Sequence, residues 1–268
     1  MYKRQLVHEG DAVIVDRLNH ASIIDAVRLS RAKLLVYSHC DLDSLEQVLA
    51  HARTHRRRLV VTDTLFSMDG DIAPLHEIAM LAKRYDAMVM ADDAHATGVL
   101  GERGRGALEH AGCEGEIDVV MGTLSKALGC LGGFVAGERR LIDYLRNTAR
   151  SFIYTTALPP PMCAAAIAAI DIVENEPERR AALRENVAVL KTGLRAKGHD
   201  TDHSPSPVVA IILGDPARAM DKARELYANH IFVPAIRPPT VPKGTSRLRV
   251  SLMAGHTRDD VERLLSLL

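Results

Sequence analysis

Short apolar runs alternate with helical patterns through the first half of the chain, and this alternation restricts the fold more than any other feature. Apolar runs at residues 12–15, 34–37, 59–62, 87–91 and 117–121 indicate buried strands, and a glycine-containing strand is predicted at 132–137. Between them, apolar residues at helical spacing predict helices over 21–30, 42–54 and 74–85. An alternation of this kind predicts a largely parallel, doubly wound α/β sheet.

The second half of the chain predicts a smaller α+β domain. Three prolines at 159–161 precede an Ala-rich helix that we expect to be buried and to end near Asn175. A second helix covers 178–197, strands are expected at 208–213, 231–233 and 247–252, and Thr257 and Asp260 predict a capping box for a last helix. We therefore expect a large domain over residues 1–170 and a small domain over 171–268.

Composition narrows the class of protein. The 34 basic and 34 acidic residues cancel, which predicts no electrostatic footprint for nucleic acid or an anionic membrane. No apolar run approaches the length that spans a bilayer. The four cysteines form no CxxC pair, so we expect reduced thiols in a cytoplasmic protein and no bound metal. These features favour a soluble metabolic enzyme.

Chemically useful side chains follow two of the predicted strands. Asp92 and His95 come directly after the run at 87–91, and Lys126 follows the run at 117–121. The carboxyl ends of parallel strands are where open α/β sheets bind ligands. A lysine amine could form a Schiff base with pyridoxal phosphate (PLP), and an aspartate could pair with its protonated ring nitrogen. Either segment alone is more often a solvated cap or loop charge, but their order and spacing favour the site.

Several segments together resemble the α-oxoamine synthases, a family of fold-type-I PLP enzymes. The resemblance runs from about Glu9 onward and is carried by the segments at 19–22, 62–70, 91–98 and 122–126. It implies an aspartate-aminotransferase-like large domain, PLP as cofactor and a homodimer. Family members have a further N-terminal segment with a glycine-rich loop whose amides hold the phosphate. We therefore expect the chain to be truncated at its N-terminus, to be poorly soluble or to bind PLP weakly, and an inactive fragment is an open alternative.

The resemblance assigns roles to four residues near the cofactor ring. Lys126 would form the Schiff base and then act as general acid and base, with its pKa lowered by burial beside a cationic cofactor. Asp92 would pair with the ring nitrogen, His95 would contact the phenolic oxygen, and His20 would stack on the ring. His95 could instead be an ordinary loop histidine, and Asn19 could merely cap the following helix.

Further residues are expected around the cofactor. Thr123 could place its hydroxyl on the phosphate, Ser67 matches a serine near the ring, and Thr156 matches a segment that reaches the phosphate of the partner subunit. Asp93 would lie on the opposite face of its strand from Asp92 and have a structural role. Asp69, followed by glycine, is by itself only a turn signal.

The C-terminal region indicates the substrate. The segment at 235–242, with its Arg-Pro-Pro, resembles the biotin-pathway member of the family, and Arg249 matches the arginine that binds the amino-acid carboxylate. That member condenses L-alanine with a pimeloyl thioester, on CoA or a carrier protein, to 8-amino-7-oxononanoate with loss of CO₂. The segments at 19–25 and 122–129 are spelled much as in glycine C-acetyltransferase, which is the alternative. Arg249 could also form a surface ion pair.

Overall fold

The apolar runs of the first half form one sheet in which five strands are parallel and the last is antiparallel. The computed structural model describes residues 6–201 and 206–268. Within them the strand order is β2-β1-β3-β4-β5-β6. The strands are β1 (Ala12–Asp16), β2 (Lys33–Tyr37), β3 (Arg58–Asp63), β4 (Met88–Asp92), β5 (Val119–Thr123) and β6 (Gly133–Gly137). The predicted, largely parallel α/β sheet is confirmed.

Helices connect these strands and cover the sheet. They are α1 (Ala21–Ser30), α2 (Leu42–His51), α3 (Leu75–Arg84), α4 (Ala107–His110), α5 (Arg139–Thr148), α6 (Arg150–Ile153) and α7 (Pro160–Asn175). One core cluster joins Val13, Val15 and Val61 of the sheet to Ile23 of α1 and Leu145 of α5. All five residues of β1 are buried, so this strand is covered on both faces of the sheet.

Helix α7 differs from its prediction. The sequence indicated a buried helix, but Ala166 is its one buried residue and the Ile167 side chain is 62% exposed. The helix is apolar around most of its circumference, so its sequence contains no periodic pattern that distinguishes a covered face from an open one. The expectation of burial was therefore wrong.

The chain divides into two compact units. The first comprises the residues up to Leu65 together with Ala73–Asn175, and the second comprises Phe66–Ile72 and Glu176–Leu268. The second unit contains an antiparallel sheet in the order β7-β9-β8 and three helices. Its elements are α8 (Pro177–Ala196), β7 (Val208–Gly214), α9 (Pro216–Ala228), β8 (Ala235–Ile236), β9 (Ser246–Ser251) and α10 (Arg258–Leu267).

Of two local predictions for the second unit, one is confirmed and the other is wrong. Thr257 and Asp260 form the predicted capping box at the start of α10. The strand predicted at 231–233 is wrong, because pairing with β9 begins only at Ala235 and the Phe232 side chain is 79% exposed. Pro234, which has no backbone N–H, interrupts the apolar run before it can join the ladder.

The helices in the described part of the chain are all too short or too polar to cross a bilayer.

Candidate functional site

Four parallel strands bring their carboxyl ends to one edge of the large sheet. Asp63 at the end of β3 pairs in register with Asp92 at the end of β4, and Asp92 pairs with Met121 of β5. Thr123 ends β5 at the same edge. The loops beyond these strand ends carry three of the predicted site residues, His20, His95 and Lys126.

The strand order also indicates where along this edge a ligand would bind. β1 lies between β2 and β3, so the chain builds the sheet outward in opposite directions from the boundary between β1 and β3. Ligand crevices in open α/β sheets form at such a switch point. His20 follows β1 there, and its backbone N–H donates to the carboxylate of Asp63 at 2.7 Å.

His20, rather than Asn19, is the N-cap of α1. The Nδ1 atom of His20 accepts a hydrogen bond from the backbone N–H of Ser22 at 3.2 Å, and the His20 side chain is exposed at the sheet edge. The side chain of buried Asn19 donates to the carbonyl of Val61 at 2.6 Å and accepts from the N–H of Asp63 at 3.0 Å. The interpretation of Asn19 as a helix cap was therefore wrong, because its amide group joins β1 to β3.

Asp92 and Asp93 have different surroundings. Asp92 is 5% exposed at the end of β4, and its carbonyl accepts from the N–H of Thr64. The Asp93 carboxylate accepts from the hydroxyls of Thr64 at 2.7 Å and Thr97 at 2.8 Å and from the N–H of Ala107 at 3.1 Å. Burial raises the pKa of Asp93, and these three hydrogen bonds oppose that shift. Asp93 thus joins three separate chain segments, which agrees with a structural role.

Lys126 lies in a loop that closes on itself. Thr123 donates its hydroxyl to the carbonyl of Gly132 at 3.1 Å, and the N–H of Gly129 donates to the carbonyl of Lys126 at 3.0 Å. The Lys126 side chain is exposed, whereas the sequence analysis expected it to be buried. The loop residues bond mainly to one another, which leaves the lysine at the surface of the first unit. His95 is half-buried and Thr156 is exposed.

Ser67 and Arg249 belong to the second unit. The Nε of Arg249 donates to the carbonyl of Ser67, and one of its terminal nitrogens donates to the Ser251 hydroxyl at 3.0 Å. Burial lowers the pKa of the Arg249 guanidinium. Two residues earlier on β9, buried Arg247 forms an ion pair with Asp69. Two arginines of one strand therefore hold the segment Phe66–Ile72.

The sequence analysis missed two contributors to this geometry. Asp63 received no role, although it ends an apolar strand just as Asp92 does, and that shared position was the available signal. The pairing of Asp69 with Arg247 joins residues 178 positions apart, so nothing in the local pattern indicated it.

Known proteins are similar to this chain in sequence over most of its length. The model of the family described as aminotransferase class I and II matches residues 2–268. A putative 8-amino-7-oxononanoate synthase of Acetivibrio thermocellus is 52% identical over 93% of this chain and 64% of its own length. The 8-amino-7-oxononanoate synthase of Anaeromyxobacter dehalogenans is 52% identical over 98% of this chain and 66% of its own length. The chain thus spans about two thirds of these relatives.

Solved structures give the same fold. A structure of SPT with PLP matches 99% of this chain and 67% of its own at a TM-score of 0.95 and 36% identity. The 8-amino-7-oxononanoate synthase of Francisella tularensis matches 99% of this chain and 76% of its own at a TM-score of 0.86 and 31% identity. These comparisons confirm the predicted fold class and the resemblance to the α-oxoamine synthases.

Proposed function

Because this chain belongs to the aminotransferase class I and II family, we propose that it binds PLP at the carboxyl edge of its large sheet and uses it for acyl transfer. The observation that carries the proposal is the pairing of Asp63 with Asp92 and of Asp92 with Met121, two residues before β5 ends and the lysine loop begins. That edge presents the donor types that PLP requires. They are a buried carboxylate for the ring nitrogen, a primary amine for the aldehyde and hydroxyl groups for the phosphate.

Four side chains hold the cofactor ring in this proposal. Lys126 would hold the aldehyde group of the cofactor with its amine, and Asp92 would keep the ring nitrogen protonated because a buried carboxylate favours a neighbouring positive charge. His20 stacks on the ring, and His95 donates to or accepts from the phenolic oxygen. Bound PLP supplies an electron sink for the negative charge that develops at the substrate α-carbon.

The remaining residues position the phosphate, the ring and the substrate. Thr123 binds the phosphate with the hydroxyl that now donates to Gly132, and Thr156 serves the phosphate of a partner subunit in a homodimer. Ser67 lies beside the ring, and Arg249 binds the amino-acid carboxylate with its planar guanidinium. Once its amine is free of the cofactor, Lys126 Nζ would accept the α-proton of the amino acid and later return a proton to the product.

We propose L-alanine and a pimeloyl thioester, on CoA or a carrier protein, as the substrates and 8-amino-7-oxononanoate as the product. The support is the identity of about 50% with several relatives that bear that enzyme's name. None of the four cysteines forms a disulfide, which supports action in the cytoplasm, where disulfides are rare.

Product analysis tests the reaction. The purified chain, supplied with PLP, L-alanine and pimeloyl-CoA, should release CoA and form 8-amino-7-oxononanoate, measured by mass spectrometry. Parallel reactions use glycine with acetyl-CoA and L-serine with palmitoyl-CoA. Turnover confined to alanine and the pimeloyl thioester supports the proposal. Faster turnover of glycine with acetyl-CoA, or no turnover of any pair, contradicts it.

Covalent mapping tests the cofactor site separately. After addition of PLP, borohydride reduction and digestion, the pyridoxyl group should be found on Lys126 and be lost in Lys126→Ala. Lys83→Ala, which alters an exposed lysine near the end of α3, is the matched control and should leave the modification unchanged. A pyridoxyl group on Lys83 or Lys191 instead of Lys126 would rule out the assignment.

A further inference from the structure

A cluster outside the proposed cofactor contacts combines a carboxylate, an imidazole and a thiol. Asp16 ends β1, and His39 and Cys40 follow β2, the neighbouring parallel strand. One possible ligand atom from each residue lies within 4.8 Å of the other two. Across residues 6–201 and 206–268, this is the one group of three such side chains that close together. The lack of a CxxC pair in the sequence had predicted no metal site.

The Asp16 carboxylate is fixed before any ligand arrives. Its side chain is 1% exposed, and it accepts from the N–H of Leu18 at 2.8 Å and the N–H of Cys40 at 2.9 Å. These donors hold one oxygen near the His39 ring, whose Nδ1 lies 2.9 Å away. A buried carboxylate in fixed orientation costs little further ordering when it binds a cation.

The backbone brings Cys40 to the same place. Cys40 has φ +50°, a left-handed conformation that a residue with a Cβ adopts at a cost. The bond from its N–H to Asp16 holds the residue in that turn.

We propose that Asp16, His39 and Cys40 bind a Zn²⁺ ion, with water as the fourth ligand. Thiolate sulfur, imidazole nitrogen and carboxylate oxygen are the three donor types that proteins use for zinc. Nitrogen and oxygen ligands about 2.0–2.1 Å from a tetrahedral zinc are roughly 3.4 Å apart, so the observed 2.9 Å needs to widen only slightly.

Zinc binding would release protons from the side chains that become its ligands. The Sγ–H bond of Cys40 breaks as the Zn–S bond forms, and the proton passes to the solvent. Any proton on the His39 nitrogen that binds zinc leaves in the same way. The His39 side chain is 27% exposed, which gives the ion and the protons a route to water. The metal would tie the ends of β1 and β2 together four residues before His20.

Metal titration tests the site without reference to PLP. The purified chain, freed of metal with EDTA and dialysed, is titrated with Zn²⁺ against a chromophoric chelator and, separately, with Co²⁺. We expect one Zn²⁺ per chain and a thiolate-to-cobalt charge-transfer band. Cys40→Ser should abolish the band and weaken Zn²⁺ binding at least about tenfold, and His39→Gln should weaken binding similarly but keep the band.

The matched control is Cys163→Ser, which removes an exposed thiol of α7 and should change neither measurement. Chemical protection in the unmodified protein avoids any folding defect of a variant: Zn²⁺ should reduce the modification of Cys40 by iodoacetamide, detected by peptide mapping, and leave the modification of Cys163 unchanged. An unprotected Cys40 at saturating Zn²⁺, or an unchanged cobalt band in Cys40→Ser, would overturn the proposal.

Discussion

At the scale of single residues, substitutions at the adjacent Asp92 and Asp93 should have different effects, the first on turnover and the second on stability. Asp92→Asn should retain the fold and some cofactor but lose most turnover, because a neutral amide cannot hold the ring nitrogen protonated. Asp93→Ala leaves the buried Thr64 hydroxyl and the N–H of Ala107 without their acceptor, whereas the Thr97 hydroxyl keeps the Asp93 carbonyl, so unfolding free energy should fall by about 1–3 kcal/mol. Urea denaturation and steady-state turnover of both variants distinguish these effects. Near-native turnover of Asp92→Asn would remove its proposed role.

A glycine is required beside the same carboxylate. Gly106 has φ +102°, and a Cβ there would lie 1.9 Å from an oxygen of Asp93. Gly112→Ala is a matched control, since Gly112 also has a positive φ of +67° but open space around its Cβ position. Gly112→Ala should cost about 1–2 kcal/mol from backbone strain alone. Gly106→Ala should cost clearly more in the same denaturation experiment, and equal costs would contradict a steric requirement.

Residue roles were predictable from sequence only where they depended on position in a strand. The different faces of Asp92 and Asp93 follow from the two-residue period of a strand. Asn19 could not be interpreted in this way, because its partner Val61 lies 42 positions away and belongs to another strand. The exposure of the Lys126 side chain depends on the conformation of its loop, which the sequence pattern does not predict.

At the scale of elements, the segment Phe66–Ile72 and β9 should act together. Asp69→Asn removes the charge that faces buried Arg247, so we expect unfolding free energy to fall by about 1–3 kcal/mol. Alanine binding should weaken as well, because the segment also receives the hydrogen bond from Arg249. Thermal unfolding and an alanine titration followed by cofactor absorbance measure the two effects.

The control for this prediction is Arg258→Ala, which breaks an exposed ion pair with Glu262 on α10. It should change neither stability nor alanine binding appreciably. If Asp69→Asn behaves like this control, the segment does not depend on its pairing with Arg247.

Helix and strand bounds were predictable where apolar periodicity coincided with an end signal. Helix α1 runs over the predicted residues, and α8 ends before Gly198, whose φ of +84° suits the residue after a helix. Helix α5 was not predicted, although Leu141, Ile142 and Leu145 recur at helical spacing and pack against the sheet. The residue at which β8 begins depends on its pairing with β9, and the local sequence pattern does not indicate such a tertiary contact.

At the scale of the whole molecule, the exposed apolar residues of α7 support the proposed homodimer. We expect the chain to self-associate, because contiguous exposed apolar surface is uncommon on monomers. Ile167→Glu, at a position 62% exposed on α7, should shift the chain toward monomer in analytical ultracentrifugation. Ile212→Glu, at a position 49% exposed on β7, is the control and should leave association unchanged. A monomeric parent chain would contradict the homodimer.

The overall α/β class and the resemblance of the chain to α-oxoamine synthases were readable from the sequence, since both depend on short motifs at strand ends. The return of residues 66–72 to the second unit was not readable. These residues follow β3 directly, and a single boundary between two consecutive domains is the simplest interpretation of such a pattern.

The way the chain crosses between its units has a consequence for biosynthesis. The ribosome releases Phe66–Ile72 early, but the arginine that pairs with Asp69 is made 178 residues later. Chains dominated by such distant contacts fold slowly, and domains made first usually fold first. The second unit can therefore reach its native state only after β9 has left the exit tunnel. Phe66–Ile72 must wait in the nascent chain until Arg247, 178 residues after Asp69, has been translated.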